Sequence, residues 1–416
     1  MDKKEKLKRS IIIIIIMVIA IVSIMKSRER RKRIEKEKEQ AQEVVKTGNF
    51  NTDIIKISYN KANNSNYLIS PYNIEIALDM LRVGADGNTK DEIDKVIGNR
   101  KINDVSIKDK LNIANGIFIK DIYKNDVKEN FTNKLKTDYQ AEILYDEYKE
   151  PTVINNWVKE KTNGMIDKLL DNMSSDFVLG IASALAIDVK WTNSFECNQT
   201  TSEEFTKIDN SKMNTEMMHQ TYTKNVQYIK NNEVEGIIIP YATENDKVEL
   251  EFVGIIPNNV NEYINNLTND KINNLFTNTK LATDKLHINL SLPRFTYSYE
   301  VGDFIKVLED LGINDAFDPI KANFKKMIEL GENVYVGQAI HKTKIELNEK
   351  GTKAAAVTYF GMFKNSAMME KDYDEIDIKF NKPFIYLIRE KNTGEILFFG
   401  TVFEPNKWEG STCSNS

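Results

Sequence analysis

Near its C-terminal end the chain reads "ELNEKGTKAAAVTYFGMFKNSAMMEKDYDEIDIKF", Glu346 to Phe380. Within it, the eight residues Gly351 to Thr358 include a glycine, three consecutive alanines and two threonines, with Lys353 and Val357 between them, in a chain whose residues are 29% charged. Such a run of small residues reads three ways: as a linker, as a helix, or as a strand waiting for a sheet. The three readings imply different functions, and the rest of the sequence has to choose between them.

With 416 residues, 41% of them hydrophobic, the chain is long enough to bury a large core. The net charge of -5 hides an asymmetry. Residues 1–40 hold 13 Lys/Arg against 6 Asp/Glu, a balance of +7, which leaves -12 for residues 41–416. An acidic body without a basic cluster argues against nucleic acid as a partner. Two cysteines, Cys197 and Cys413, are too few for a disulfide framework, and either reads as an ordinary thiol.

The N-terminus divides into a basic flank (1–10), an uncharged run "IIIIIIMVIAIVSIM" (11–25) and a stalk of mixed charge (26–45). Fifteen helical residues reach roughly 22 Å, short of a hydrocarbon core of about 30 Å, but flanking Lys and Arg can snorkel to the interface. The run also fits the hydrophobic part of a signal peptide. Without a small-x-small cleavage site after it, an uncleaved signal anchor is the reading adopted. Five Lys/Arg precede the run and eight follow it by Lys38, so the charge rule places the body in the cytoplasm.

From residue 46 to 405 no linker or repeat interrupts the chain, and residues 406–416 form a tail. Phe50, Ile54 and Ile57 give a weak helical stripe interrupted by Ser58. "NYLISPYNIEIALDMLRVGADGNT" predicts a strand over Tyr67–Ile69, then a helix capped by Ser70, with Pro71 in its first turn and Gly84 as its stop. Thr89 and Glu92 are spaced as a capping box for the next helix. "VINNWVKEKTNGMIDKLL" reads as a helix broken near Asn163-Gly164, and "DFIKVLEDLG" as an amphipathic helix ended by Gly312. "IASALAIDVKW" and "VEGIIIPYATENDKVELEFVGIIP" read as strands. "NVYVGQAIHKTKIELNE" alternates as one long strand. "KPFIYLIREKNTGEILFFGTVFEP" is a hairpin turning at Asn392-Thr393-Gly394. Helices early and strands late, without βαβ regularity, give an α+β class with antiparallel sheets.

Motifs for chemistry are scarce. GxSxG, P-loop, GxGxxG and HExxH patterns are all missing. Three histidines (His219, His287, His341) and the two cysteines stand in unrelated contexts, which gives no pattern for a metal site or cofactor. No serine carries an activating neighbourhood, and an enzyme is not expected. His341, on the expected long strand, reads by itself as a core histidine.

Several segments, in order, resemble the serpins, the serine-protease inhibitor superfamily. They are "LISPYNIEIALDMLRVGADGNTKDEI", "INNWVKEKTNGMIDKLL", "MMHQ", "IIIPY", "LPRFTYSYEVGDFIKVLEDLGINDAF", "NEKGTKAAAVT" and "IKFNKPFIYLI". The resemblance covers nearly all of residues 46–405. It implies one α+β domain of three β-sheets and eight or nine helices, with an exposed reactive loop as bait. After the target protease, serine or cysteine type, cleaves the loop, its upstream half inserts into the largest sheet and traps the enzyme. A monomer is expected, with the serpin domain outside the cell on a single-pass tether at residues 11–25, contrary to the charge rule. The alternative is a non-inhibitory serpin acting as a binding or chaperone-like protein.

The small residues then have a physical reason. Along a strand from Thr352, one face carries Thr352, Ala354, Ala356, Thr358, Phe360 and Met362, of which the leading four are small enough to slide between packed neighbours; Lys353, Ala355, Val357 and Tyr359 take the other face. Gly351 allows the chain to fold over. By resemblance, Glu349, Lys350, Gly351, Thr352, Ala354, Ala355, Ala356 and Thr358 form the loop hinge. Counting 17 residues inclusively from Glu349 places the reactive bond at Asn365-Ser366. One residue fewer gives Lys364-Asn365, and Met362, Phe363 and Met368 are further bait positions. Arg294 matches the partner of the hinge glutamate, and Trp191 the tryptophan beneath the sheet-opening point. Ser70 and His341 match the polar cluster that holds the central strands shut. Ser183 stands where asparagine is usual and Asn73 where serine is usual, an exchange able to preserve a hydrogen bond to His341.

Overall fold

The computed structural model describes residues 45–62, 64–243, 247–352 and 372–406. The described residues from Lys46 onward form one compact unit. Outside the described residues lie the N-terminal run 11–25, the hinge residues Ala354, Ala355, Ala356 and Thr358, the bait positions from Met362 to Met368, including Lys364, Asn365 and Ser366, and the tail beyond 406.

Eight α-helices are described: α1 (Phe50–Tyr59), α2 (Pro71–Gly84), α3 (Gly87–Ile97), α4 (Glu129–Tyr139), α5 (Thr152–Lys161), α6 (Val260–Asn265), α7 (Asn269–Asn274) and α8 (Phe304–Leu311). No described helix is long and apolar enough to cross a membrane. Ser58, which breaks the stripe of α1, is buried because its hydroxyl bonds back to Ile54 O and meets Tyr67 Oη at 2.6 Å. Ser70 caps α2 as expected, accepting from Asn73 N at 3.2 Å.

The Thr89/Glu92 capping box does not form. Helix α3 starts at Gly87, so Thr89 lies inside its first turn rather than before it. The Thr89 hydroxyl instead accepts from Asn323 N, and the Glu92 carboxylate from Asn314 N and Asp315 N. The two side chains that fit a local cap are used to tie α3 to a distant segment.

A seven-stranded antiparallel sheet forms the most buried layer, in the order β1 (Tyr67–Ile69), β18 (Ile396–Val402), β17 (Phe384–Glu390), β10 (Leu250–Pro257), β9 (Val234–Pro240), β8 (Gln227–Lys230), β11 (Lys280–Leu281). The β17–β18 hairpin turns at Gly394, whose φ of +76° suits glycine, and every residue of β18 is buried. A second sheet runs β16 (Asp374–Lys379), β12 (Leu286–Pro293), β7 (Lys212–Tyr222), β6 (Thr201–Thr206).

The remaining strands make two groups, β13 (Phe295–Glu300)–β14 (Lys342–Asn348)–β15 (Gly351–Thr352)–β5 (Val189–Lys190) and β3 (Glu142–Asp146)–β2 (Leu111–Lys120)–β4 (Leu179–Ile187). Strands β4 and β5 follow one another along the chain, separated by Asp188 alone. The described residues thus form four hydrogen-bonded sheets, two of which meet end to end at Asp188 and are taken together below as halves of the main sheet. At the β5 end, β15 bridges the halves; among the described residues no ladder joins β4 to β14.

The long strand expected over Asn333–Glu349 is shorter: its ladder covers only Lys342–Asn348. Its partner β13 ends at Glu300, opposite Lys342; one further bond, Val301 N to His341 O at 3.0 Å, closes the pairing, and residues 333–340 lie beyond it. Cys197, read as an ordinary thiol, is disulfide-bonded.

Candidate functional site

The site is built around the tight connection from β14 to β15. Strand β14 shows strict alternation, with Thr343, Ile345 and Leu347 buried and the intervening residues half-exposed. Asn348-Glu349-Lys350-Gly351 then turns the chain back, so that Leu347 faces Thr352 and Asn348 faces Gly351. On its other edge the short strand pairs with β5, Gly351 opposite Lys190 and Thr352 opposite Val189. Two residues beyond the turn thus already lie as a central strand.

Gly351 is required here twice over. Its φ is +152°, and a Cβ would stand 2.0 Å from Val189 O. Thr352 is fully buried and its hydroxyl meets Tyr241 Oη at 2.6 Å. The sequence reading puts Thr352 on the face that enters the core, and it lies there.

Glu349 is buried at the turn, where an unpaired carboxylate would cost several kcal/mol. Three groups answer its polarity. Arg294 Nη1 donates to Oε1 at 3.2 Å, Thr200 Oγ1 donates to the same oxygen at 2.8 Å, and Phe195 N donates to the main-chain carbonyl at 2.8 Å. Arg294 is also buried and shares its guanidinium with Glu216. The Arg294–Glu349 pair expected from resemblance is therefore present, as one half of an arrangement of two carboxylates about one guanidinium.

Trp191 lies under the turn. Its indole Nε1 donates to Asn348 O at 2.9 Å and its backbone N to Lys350 O at 2.9 Å. The ring stacks on Tyr241 at 4.7 Å and 8° and meets Phe195 and Phe252 edge-on. Tyr241 therefore connects Trp191 to Thr352, and burial keeps its phenol protonated.

The polar cluster lies at the other end of β14. His341 Nε2 accepts from Ser70 N at 3.0 Å. Burial pulls the imidazole down from 6.5 to about 3, so the ring is neutral and acts as an acceptor. Asn73 Nδ2 donates to Ser183 O at 2.7 Å, and the Ser183 hydroxyl donates to Asn73 Oδ1. The Asn73/Ser183 exchange thus preserves an amide–hydroxyl pair between α2 and β4. Its bonds run between those two residues, while His341 takes the main chain of Ser70. Three distant parts of the chain converge here, and the bond from Asn73 N to Ser70 Oγ links the His341–Ser70 contact to the Asn73–Ser183 pair.

Sequence reasoning missed Thr200, Glu216 and Tyr241. Tyr241 is the last residue of the "IIIPY" segment, yet nothing in that segment tells which way its ring points. Thr200 and Glu216 reach the site from the end of a 3-10 turn and from the middle of β7, opposite Ser202, and neither carries a local signal.

The fold and site together define an α+β protein whose main sheet admits the first residues of a following loop between two strands. Residues 46–405 match the family model described as serpin (serine protease inhibitor). Glia-derived nexin of Rattus norvegicus is 30% identical over 366 residues, covering 82% of this chain and 88% of the relative. Serine proteinase inhibitor 1 of vaccinia virus is 30% identical over 370 residues, covering 85% and 99%. Among solved structures, native tengpin, a thermophilic serpin, is 32% identical with a TM-score of 0.72, over 85% of this chain and 93% of that one. The chain belongs to the serpin family.

Proposed function

We propose that this protein is a suicide-substrate inhibitor of serine or cysteine endopeptidases, trapping the enzyme when its cleaved loop enters the main sheet. The observation that carries the reading is the seat of Gly351 and Thr352 between β14 and β5, with small residues following them in sequence. A strand already started needs only continuation between the parted halves of the sheet. Larger or charged side chains at Ala354, Ala356 or Thr358 would oppose that continuation by overpacking or by burying charge. The composition favours inhibition over a purely binding role.

The inhibitor supplies no nucleophile. The protease's own serine or cysteine attacks the bait bond, and the acyl-enzyme is carried along with the inserting segment. By the count from Glu349 the bond is Asn365-Ser366, with Lys364-Asn365 as the alternative. We further propose that residues 11–25 tether the domain to the cell membrane with its body outside, where it meets foreign or secreted proteases.

The test incubates the domain with trypsin-like, chymotrypsin-like and subtilisin-like proteases and looks for a denaturant-stable covalent complex. The mass of the released C-terminal fragment names the bond. Cleavage by every protease without any complex would overturn the inhibitory reading. Protease shaving of intact cells that spares the domain would overturn its external placement.

A further inference from the structure

The segment that grips the hinge glutamate also carries a covalent link. Phe195 N donates to Glu349 O and Thr200 Oγ1 to Glu349 Oε1, so residues 195–200 hold the turn by its main chain and by its side chain. Cys197 lies between those two donors, at the start of the 3-10 turn Cys197–Gln199, and it is disulfide-bonded. The chain has two cysteines, so the one partner it offers Cys197 is Cys413.

The stretch that leads to Cys413 starts from a fixed point. Asn66 Oδ1 accepts from Phe403 N at 2.8 Å and from Glu404 N at 3.1 Å, and Asn406 Nδ2 donates to Thr296 O at 3.3 Å. Thr296 is on β13, two residues after Arg294, the cation that pairs with Glu349. The seven residues from there to Cys413 reach up to about 25 Å. The tail therefore starts on the Arg294 side of the turn, while Cys197 belongs to its Thr200 side.

We propose that a Cys197–Cys413 disulfide straps the C-terminal tail across the turn at Glu349, a thiol-sensitive lock that steadies the hinge and keeps the chain in one covalent piece when the loop is cut. The bond closes a ring of 217 residues, 197–413, that contains the whole loop. A cut anywhere from Met362 to Met368 opens this ring without freeing either side. The C-terminal piece, 51 residues for a cut at Asn365-Ser366, leaves only after reduction. While the bond holds, residues 195–200 move away from Glu349 only by drawing the tail with them. Such a cross-link persists in oxidising surroundings, in accord with a body outside the cell.

Opening the lock is a two-electron step. Glu196, Asn198 and Gln199 beside Cys197 are exposed, which gives a small dithiol a path to the bond. One thiolate of the dithiol attacks a sulfur and breaks the S–S bond, and its second thiol resolves the mixed disulfide. Two electrons and two protons pass to the cysteines, and the reductant leaves as a cyclic disulfide. The lock is read on the resting protein and with any protease that nicks the loop, so it stands or falls apart from the inhibitory reading.

The test nicks the full chain in its loop with a catalytic amount of subtilisin and runs denaturing gels with and without dithiothreitol. The expected result is one species of undiminished mass without reductant, and a separate C-terminal fragment with it. A non-reduced digest of the uncut protein should yield one peptide pair joined through Cys197 and Cys413. Fragments that part without reductant, or a disulfide-linked dimer in place of the joined pair, overturn the pairing. Hydrogen exchange at Thr352 tests the lock itself, in wild type and in Cys413→Ser. Exchange in the variant should be faster by about tenfold, the equivalent of one hydrogen bond lost at Glu349, and dithiothreitol should bring wild type to the same rate. Equal rates in wild type and Cys413→Ser overturn the lock.

Discussion

Arg294 Nη1 lies 3.2 Å from Glu349 Oε1, and both side chains are 4% exposed, so the turn into the loop is fixed by an ion pair sealed from water. Breaking a buried pair from one side leaves an uncompensated charge and costs roughly 3–5 kcal/mol. Glu349→Lys should do more, because it places a second cation beside Arg294. The variant is expected to lose the seated hinge, melt at lower temperature and be cleaved as a substrate in a larger fraction of encounters. Titrating protease activity against inhibitor measures that fraction; an unchanged stoichiometry would separate Glu349 from insertion.

Thr352 and Tyr241 share a hydrogen bond in a fully buried position. Thr352→Val keeps the shape, leaves the Tyr241 hydroxyl without its partner, and should cost about 1–3 kcal/mol by chemical denaturation. Thr352→Arg cannot be buried there and should convert the inhibitor into a substrate. Inhibition at the wild-type stoichiometry in Thr352→Arg would contradict loop insertion.

Gly351 has Val189 O where a Cβ would stand. Gly351→Ala should push β15 off β5, with faster hydrogen exchange at Thr352 and a hinge newly open to limited proteolysis. Equal exchange rates in both proteins would show that the contact is not required.

Two buried groups give stability opposite dependences on pH. His341 is held near 3 in the fold against 6.5 ordinarily. On acidification the unfolded chain takes a proton that the folded chain refuses, so this stabilisation is lost as pH falls from 6.5 towards 3. Burial raises Glu75 from 4.5 to about 7, in spite of Arg100. The folded chain keeps a proton that the unfolded chain releases, so its contribution is present below 4.5 and lost as pH rises to about 7. Each slope is at most about 1.4 kcal/mol per pH unit. His341→Gln should flatten the stability curve on the acid side, and Glu75→Gln on the neutral side. Denaturant unfolding at several pH values reads both; parallel curves for wild type and variants would refute the assignments.

Much of this architecture was legible because it is local. Ser70, Pro71 and Gly84 delimit α2, and Gly394 marks the β17–β18 turn, since caps and tight turns depend on neighbours along the chain. Thr352, the first small residue after Gly351, lies inward in a strand because burial between packed strands constrains size. What could not be read depends on contacts distant in sequence. Thr89 and Glu92 fit a capping box, yet both bond to residues beyond 310. Residues 333–340 alternate like a strand but run past the end of β13. Thr200 and Glu216 reach Glu349 and Arg294 only through the folded chain.

The central claim is that the loop beyond Thr352 continues as a strand in the main sheet once it is cut. The most direct measurement is the melting temperature before and after a single cleavage between Met362 and Met368. Insertion adds a full strand of buried contacts and hydrogen bonds, so the cleaved protein should melt at a markedly higher temperature. A cleaved protein that melts at the same temperature as the intact one, or below it, would contradict the account.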